Sequence, residues 1–359
     1  MRELHIFDPE SDRALAHGGD SYNAPSWTLR FRRDLELLPA FIAPAGSLVL
    51  AEDCAAQQWI DRMMGLDIEI IGHEQLRKLD DVKIVPWGWS PALCKELMLS
   101  GMSPTLLPDA QQLKLIRQLS HRRTSIVVHR RLSQLLGREF SPVPCECSST
   151  AQVIEFARQH HGCYIKTPWS GSGRGIYRNL DGSVTPELAR WVDGAIGRQG
   201  SVLCEVALDG TFDFAVEFHC SAERGVVVAG YSVFGCDSHN QYGTGMVDSP
   251  ENMHTYIIKR CPCIDRVTEA LVQIIAEEIA PHYNGYLGID MLTYRKADGT
   301  VGLDPCVEVN LRATMGVVAA RLGERGMRGQ FAIVPATQAT GTLLTPVHND
   351  TRHTAVVTK

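Results

Sequence analysis

A lysine at the end of an apolar run, followed by closely spaced glycines, is the first stretch of this chain able to do chemistry. Residues 164–176 place Lys166 ahead of Ser170, Gly171, Ser172, Gly173, Arg174 and Gly175. Glycines let successive backbone N–H groups turn toward one point, and a phosphate is the usual occupant of such a point. Lys166 adds a point charge at the strand end. Taken alone, the stretch reads equally well as a glycine-rich hairpin. A second set of residues changes the balance. Asp290 lies in the apolar run 285–294, and Glu308, Asn310 and Arg312 stand two apart in and just after the run 301–311, with Ala297-Asp298-Gly299 as a turn between. A spacing of two puts the three side chains on one face, and pairing about the turn sets Asp290 opposite residues 306–308. Two carboxylates brought together repel unless something positive sits between them. Oxygen ligands of this kind suit Mg2+, which takes few protein ligands and completes its shell with water and phosphate. Arg312 would then stabilise charge developing on a transferred phosphoryl group or an acyl oxygen. The competing reading is a surface ion-pair ladder from Glu308 to Arg312, which leaves Asn310 without a role.

The elements that must position these residues follow from the hydrophobic pattern. Residues 4–7, 47–51, 67–71 and 82–86 read as strands, separated by helical patterns over 27–41 and 54–64 and followed by a helix that runs to Leu99. That alternation predicts a doubly wound parallel sheet, with ligands beyond the carboxyl ends of its strands. The loop 8–25 and the turn 86–90 are therefore candidate substrate walls, although Trp87 and Trp89 in that turn read first as packing residues. Residues 108–137 read as helical and contain the basic cluster His121, Arg122, Arg123, with Ser120 expected to cap the second helix. A charge cluster of this kind is usually a solvated face, but this one directly precedes the glycine-rich unit. Further on, a capped helix over 149–160, strands over 162–166 and 201–206, and a helix over 185–196 are expected. Residues 211–220 read as a strand with one exposed face, Phe212, Phe214, Val216 and Phe218 on one side and Asp213, Ala215, Glu217 and His219 on the other. A strand over 225–231, a loop over 235–252 and an amphipathic helix over 266–282 follow. After about residue 335 the chain shows little pattern.

Composition limits the alternatives. The chain has 359 residues, 44% hydrophobic and 21% charged, enough for two or three domains with a large core. A net charge of −6 leaves no basic footprint, so no nucleic-acid partner is expected. No apolar run reaches the length of a membrane span and no secretory signal is present, which points to a cytoplasmic protein with no membrane partner. The eleven cysteines are odd in number. Neither close pair, Cys145/Cys147 or Cys261/Cys263, has a partner at zinc-site spacing, so reduced thiols are expected. There is no P-loop motif and no nucleophile elbow.

The lysine-ended strand with its glycine loop, Glu205 near a later strand end, Asp290, and the Glu308-x-Asn310-x-Arg312 element together resemble the ATP-grasp superfamily, and within it the carboxylate–amine (or thiol) ligase branch. The resemblance covers residues 110–325. It implies an α/β and α+β architecture, with an N-terminal doubly wound domain (1–112) ahead of two α+β subdomains (113–208 and 209–335) that clamp ATP, and a tail (336–359). Carried over, Lys166 would contact phosphates and Ser170, Gly171, Ser172 and Gly173 would belong to a mobile loop over them. Glu205, Val206 and Leu208 would read adenine and Asp213 would meet the ribose. Asp290, Glu308 and Asn310 would bind Mg2+, with Mn2+ as an alternative, and Arg312 would steady the transition state. The family's further upstream lysine is replaced here, with Arg122 or Arg123 at the matching place. The implied reaction is ATP-dependent joining of a carboxylate to an amine through an acylphosphate, releasing ADP and phosphate, and a homodimer is a common assembly for this fold. A kinase-like phosphotransferase and a non-catalytic nucleotide-binding module are the alternatives.

Overall fold

Short runs rich in Val, Ile and Leu pair into three sheets among the described residues. The structure is a computed structural model that describes residues 1–53, 56–62, 65–171, 173, 175–236 and 242–359. The first sheet holds β1 (Arg2–Ile6), β2 (Ser47–Leu50), β3 (Ile68–Ile71) and β4 (Val82–Pro86), all parallel, in the order β3-β2-β1-β4. The chain leaves β1 toward β2 on one side and returns to β4 on the other, so a topological switch point lies between β1 and β4. Helices α1 (Ser11–His17), α2 (Ser26–Asp34), α3 (Ala56–Arg62) and α4 (Pro91–Leu99) connect and follow these strands. The helix expected over 27–41 ends at Asp34 and resumes as a 3-10 turn at Leu38–Phe41, where Pro39 has no backbone N–H to continue an α-helix. Helix α4 starts cleanly: Ser90 Oγ accepts from Leu93 N at 3.2 Å and Pro91 fills the first helical position.

Helices α5 (Ala110–Leu119) and α6 (Arg123–Leu136) lead into the second sheet. Contrary to the expectation from sequence, Ser120 does not cap α6; its hydroxyl donates to Ile116 O at 2.8 Å and closes α5 instead. The second sheet is antiparallel: β5 (Cys145–Cys147), β6 (Cys163–Lys166), β7 (Ile176–Asn179) and β8 (Val202–Val206), ordered β5-β8-β6-β7. Helices α7 (Thr150–Gln159) and α8 (Pro186–Gln199) cover it, and Ser149 forms the expected capping box on α7.

The third sheet has the order β13-β12-β9-β10-β11-β14-β16-β15. Its strands are β9 (Asp209–Ser221), β10 (Gly225–Cys236), β11 (Tyr242–Val247), β12 (Gly285–Arg295), β13 (Val301–Asn310), β14 (Gly329–Pro335), β15 (Thr342–Leu343) and β16 (His353–Thr358), with helices α9 (Pro250–Ile258), α10 (Ile264–Glu278) and α11 (Met315–Glu324). Three expectations change here. The stretch 235–252 is not one loop, because Tyr242–Val247 forms β11 between β10 and β14; residues 237–241, including His239, lie outside the described residues. The stretch beyond 335 is not patternless, because β16 joins the sheet along β14 and buries Thr354, Ala355 and Val356. Strand β9 has no exposed face. Phe214 and Phe218 pack with Leu271 and Ile275 of α10 and Val128 and Leu132 of α6, while Ala215 and Glu217 are buried on the other face, which α11 covers. A second core joins the sheets: Phe7, Val49 and Trp87 meet Val317, Val318 and Leu322 of α11 and Phe331 and Val357. This packing brings the carboxyl ends of β1 and β4 up to the end of β13, and Ala313 N donates to Trp87 O at 2.7 Å.

Candidate active site

The β12–β13 hairpin supplies the centre. Its register sets Asp290 opposite Glu308 and Gly288 opposite Asn310, while on the other side of β12 the same two residues face Ala215 and Glu217. Asn310 donates through Nδ2 to Asp290 Oδ2 at 3.0 Å, and its Oδ1 accepts from Arg312 Nη2 at 3.0 Å. Asn310 thereby joins a carboxylate to a guanidinium, which an ion-pair ladder on a surface would not require. Arg312 lies beyond the ladder. Its Nε donates to Asp12 Oδ2 at 2.8 Å and its Nη1 to Ala313 O at 3.2 Å. Burial lowers the pKa of Arg312, but Asp12, Glu308 and Asp290 outweigh it and the net shift is upward. Burial also pushes the Asp290 carboxyl up, the Glu308 charge adds to that push, and the result is a carboxyl near 7 despite Asn310 and Arg312.

The second sheet supplies the cationic side. Lys166 Nζ lies 2.5 Å from Glu205 Oε2, both side chains nearly buried, across the β6–β8 pairing. Burial raises the Glu205 pKa even though Lys166 and Arg122 oppose it. Of the two neighbouring arginines, Arg122 turns inward. Its Nη2 reaches Glu308 Oε1 at 2.9 Å and also donates to Ser170 O and Oγ at 3.2 and 3.1 Å, while its Nε donates to Thr167 O at 3.1 Å. Its Nη1 is buried without a hydrogen-bond partner. Arg123 turns outward to Glu146 at 2.7 Å. Arg122, Lys166, Ser170 and the hairpin carboxylates therefore meet, and Arg123 is separate from them. In the glycine loop, Gly173 and Gly175 have φ of +69° and +68°, which a side chain would strain. Gly171 lies over Asp12, and Ser172 is outside the described residues. Val206 ends β8, and the short link containing Leu208 carries the chain into β9. Asp213 shares the face of Asp290 but pairs with Leu292, one row farther from Arg312, and burial raises its pKa.

Two acidic residues at the site went unread in the sequence. Glu217 is 1% exposed and leans across Gly288: a Cβ on Gly288 would stand 2.6 Å from Glu217 Oε2, and a Cβ on Gly316 would stand 2.0 Å from Oε1. Oε1 accepts from Ser232 Oγ at 2.9 Å, and Oε2 accepts no hydrogen bond. Burial, then repulsion from Asp290, pushes this carboxyl up to about 7, against the Ser232 and Thr314 hydroxyls. Its signal was the period of two that it shares with Asp213 and Ala215. Asp12 had no local signal, since its partner Arg312 lies 300 residues away. Arg321 pairs with Glu324 at 2.7 Å on the last turn of α11. Among the described residues the cysteines are free thiols, and no three His, Cys, Asp or Glu side chains converge as a metal cage.

No protein-family model matches the sequence, and no curated protein does. The fold does match solved structures. N5-carboxyaminoimidazole synthetase from Staphylococcus aureus, complexed with ADP, superposes over 100% of this chain and 94% of its own with a TM-score of 0.51 and 12% identity. The biotin carboxylase domain of the Hydrogenobacter thermophilus 2-oxoglutarate carboxylase, a dimer in complex with MgADP, ADP and bicarbonate, covers 99% of this chain and 86% of its own with a TM-score of 0.50 and 13% identity. Biotin carboxylase from Campylobacter jejuni, in a β-γ-ATP complex, covers 100% of this chain and 88% of its own with a TM-score of 0.50 and 10% identity. At these identities the likeness carries the fold, and the chemistry must be argued from the residues.

Proposed function

The chain has the ATP-grasp fold, and on that premise we propose that it is an ATP-dependent ligase joining a carboxylate to an amine through an acylphosphate. The observation that carries the reading is the convergence of Asp290, Glu308, Asn310 and Arg312 with Arg122 and Lys166 beneath the glycine loop. A binding module has no need of all six. In this reading Lys166 and Arg122 hold the phosphates, and the unpartnered Nη1 of Arg122 is a donor waiting for an anion. Val206 and Leu208 flank the adenine, and Asp213 faces the ribose. The donor set fits Mg2+: two facing carboxylates and an amide are too few for a closed cage but suit an ion that shares its shell with phosphate oxygens. Asp290, Glu308 and Asn310 would hold it, and it would neutralise charge on the phosphates and the transferring group.

The protein's own part is positioning and electrostatics. In this reading Arg312 would stabilise the charge that spreads over the transferring phosphoryl group, and Ser170 and Gly171 would help exclude the water that hydrolyses an acylphosphate. The substrate carboxylate attacks the γ-phosphoryl group and ADP leaves; the amine then attacks the acyl carbon, loses a proton, and phosphate leaves. A cavity of about 860 Å3 opens at the carboxyl ends of β1, β2 and β3. Arg30, Arg33, Glu52 and Glu74 line it, and charges of both signs suit a small polar or zwitterionic substrate.

The test is nucleotide turnover with pools of carboxylates and amines, following ADP, AMP and phosphate together. ADP and phosphate appearing only when both an acid and an amine are present is the expected result. AMP with pyrophosphate overturns the acylphosphate route, and ADP without phosphate identifies a phosphotransferase instead.

A further inference from the structure

Arg312 is held from the far end of the chain. All three of its donor nitrogens are engaged: Nη2 with Asn310, Nη1 with the Ala313 carbonyl and Nε with Asp12. Two of these holds lead to the parallel sheet, since Asp12 opens α1 just after β1, and Ala313 is tied by its own N–H to Trp87 O just after β4. These are the two strands that flank the switch point, so the crevice where this sheet type presents its ligands ends at the Arg312 guanidinium. The walls are close. A Cβ on Gly88 would stand 2.4 Å from Ser11 Oγ and 3.1 Å from Arg312 Cβ, and a Cβ on Gly171 would stand 2.6 Å from Asp12 Oδ2. Ser11 Oγ is buried in this crevice without a partner. The Asp12–Arg312 pair is also unlike an ordinary surface bridge, because its side chains are only 22% and 17% exposed and the glycine loop lies on the same carboxylate oxygen.

We infer that Asp12 is a positioning residue for phosphoryl transfer: it fixes the Arg312 guanidinium beneath Gly171, and its charge partly cancels that of Arg312 until phosphate arrives. The inference rests on the ligase reading above. It gives the N-terminal sheet a part in the chemistry beyond lining a substrate cavity. It also accounts for glycine at 171, since any side chain there would displace the carboxylate that holds Arg312.

The test separates charge from geometry in the full-length protein. Asp12→Asn keeps an oxygen for Arg312 Nε and removes the charge, so calorimetry should show the Mg2+ complex of a non-hydrolysable ATP analogue binding threefold or more tighter. In an Arg312→Gln background the same substitution should change affinity less than twofold. Asp12→Ala releases the guanidinium, and turnover with the acid and amine pair that the turnover test identifies should fall at least tenfold with no loss of nucleotide affinity. Structural damage alone would weaken binding and turnover together, and that result overturns the inference. So does an unchanged affinity in Asp12→Asn, or a tightening that persists without Arg312. If the unsubstituted protein does not bind the analogue at all, the ligase reading itself fails, and the role of Asp12 with it.

Discussion

Glu217→Gln keeps the shape of the side chain beneath α11 and removes its charge. Oε1 of glutamine can still accept from Ser232, and the amide nitrogen replaces an oxygen that accepts nothing. In the unfolded chain this carboxyl ionises at its ordinary 4.5, and in the folded chain at about 7. Between those values the folded protein keeps a proton that the unfolded chain has released. Its contribution to stability is therefore fully present below 4.5 and is lost as pH rises through 7. Moving the carboxyl from 4.5 to about 7 corresponds to about 3 kcal/mol. Part of that belongs to the Glu217–Asp290 pair, because removing one charge eases ionisation of the other. Glutamine has no such dependence, so the variant should gain on the parent by about 3 kcal/mol between pH 4.5 and pH 8. Chemical denaturation of both proteins at several pH values, without divalent cations, measures the difference directly. Parallel stability profiles would refute the reasoning, because they would mean that Glu217 is not a buried ionising group.

Lys166→Ala should weaken MgATP binding more than tenfold, read by calorimetry; unchanged affinity removes Lys166 from the phosphate site. Arg122→Ala should weaken the same binding at least tenfold, whereas Arg123→Ala, which loses contacts with Glu146 and His121 away from the hairpin carboxylates, should stay within twofold. Equal effects would mean that the inward turn of Arg122 has no bearing on nucleotide binding. Glu308→Gln should abolish Mg2+-dependent turnover while circular dichroism and the unfolding midpoint stay close to those of the parent, and full activity would sink the metal assignment.

The parallel sheet was legible because each strand is a short apolar run bounded by turn residues, and the hairpin because Ala297-Asp298-Gly299 fixes its register. Counted from the turn alone, that register would face Asp290 with Cys306; a register shift between Asp290 and Leu292 moves Glu308 opposite it, which is why the sequence alone narrowed the partner only to residues 306–308. The errors came where tertiary contacts decide. The alternation in β9 suggested a wet face, but α11 covers it, and nothing within residues 211–220 encodes that helix. Strand β16 contains only His353, Thr354, Ala355, Val356, Val357 and Thr358, and it is a strand because β14 offers it an edge. The choice between Arg122 and Arg123 depended on where α6 begins, and without a side-chain cap its start left no mark in the sequence.

The core shared by Phe7, Val49, Trp87, α11, Phe331 and Val357 bears on how the molecule comes apart. A chain boundary near residue 112 is not a seam of stability. Cut there, the N-terminal piece would present Phe7, Val49 and Trp87 to water and the remainder would present Val317, Val318 and Phe331, apolar faces of the kind that drive aggregation. The parallel sheet and the far strands of the large sheet should then melt as one cooperative unit, and the small antiparallel sheet, with its separate core around Val153, Ile165 and Val192, is the part free to open first. That part carries Lys166 and the start of the glycine loop, so the segment that would admit nucleotide under the proposed function is also the one with the least to lose by moving.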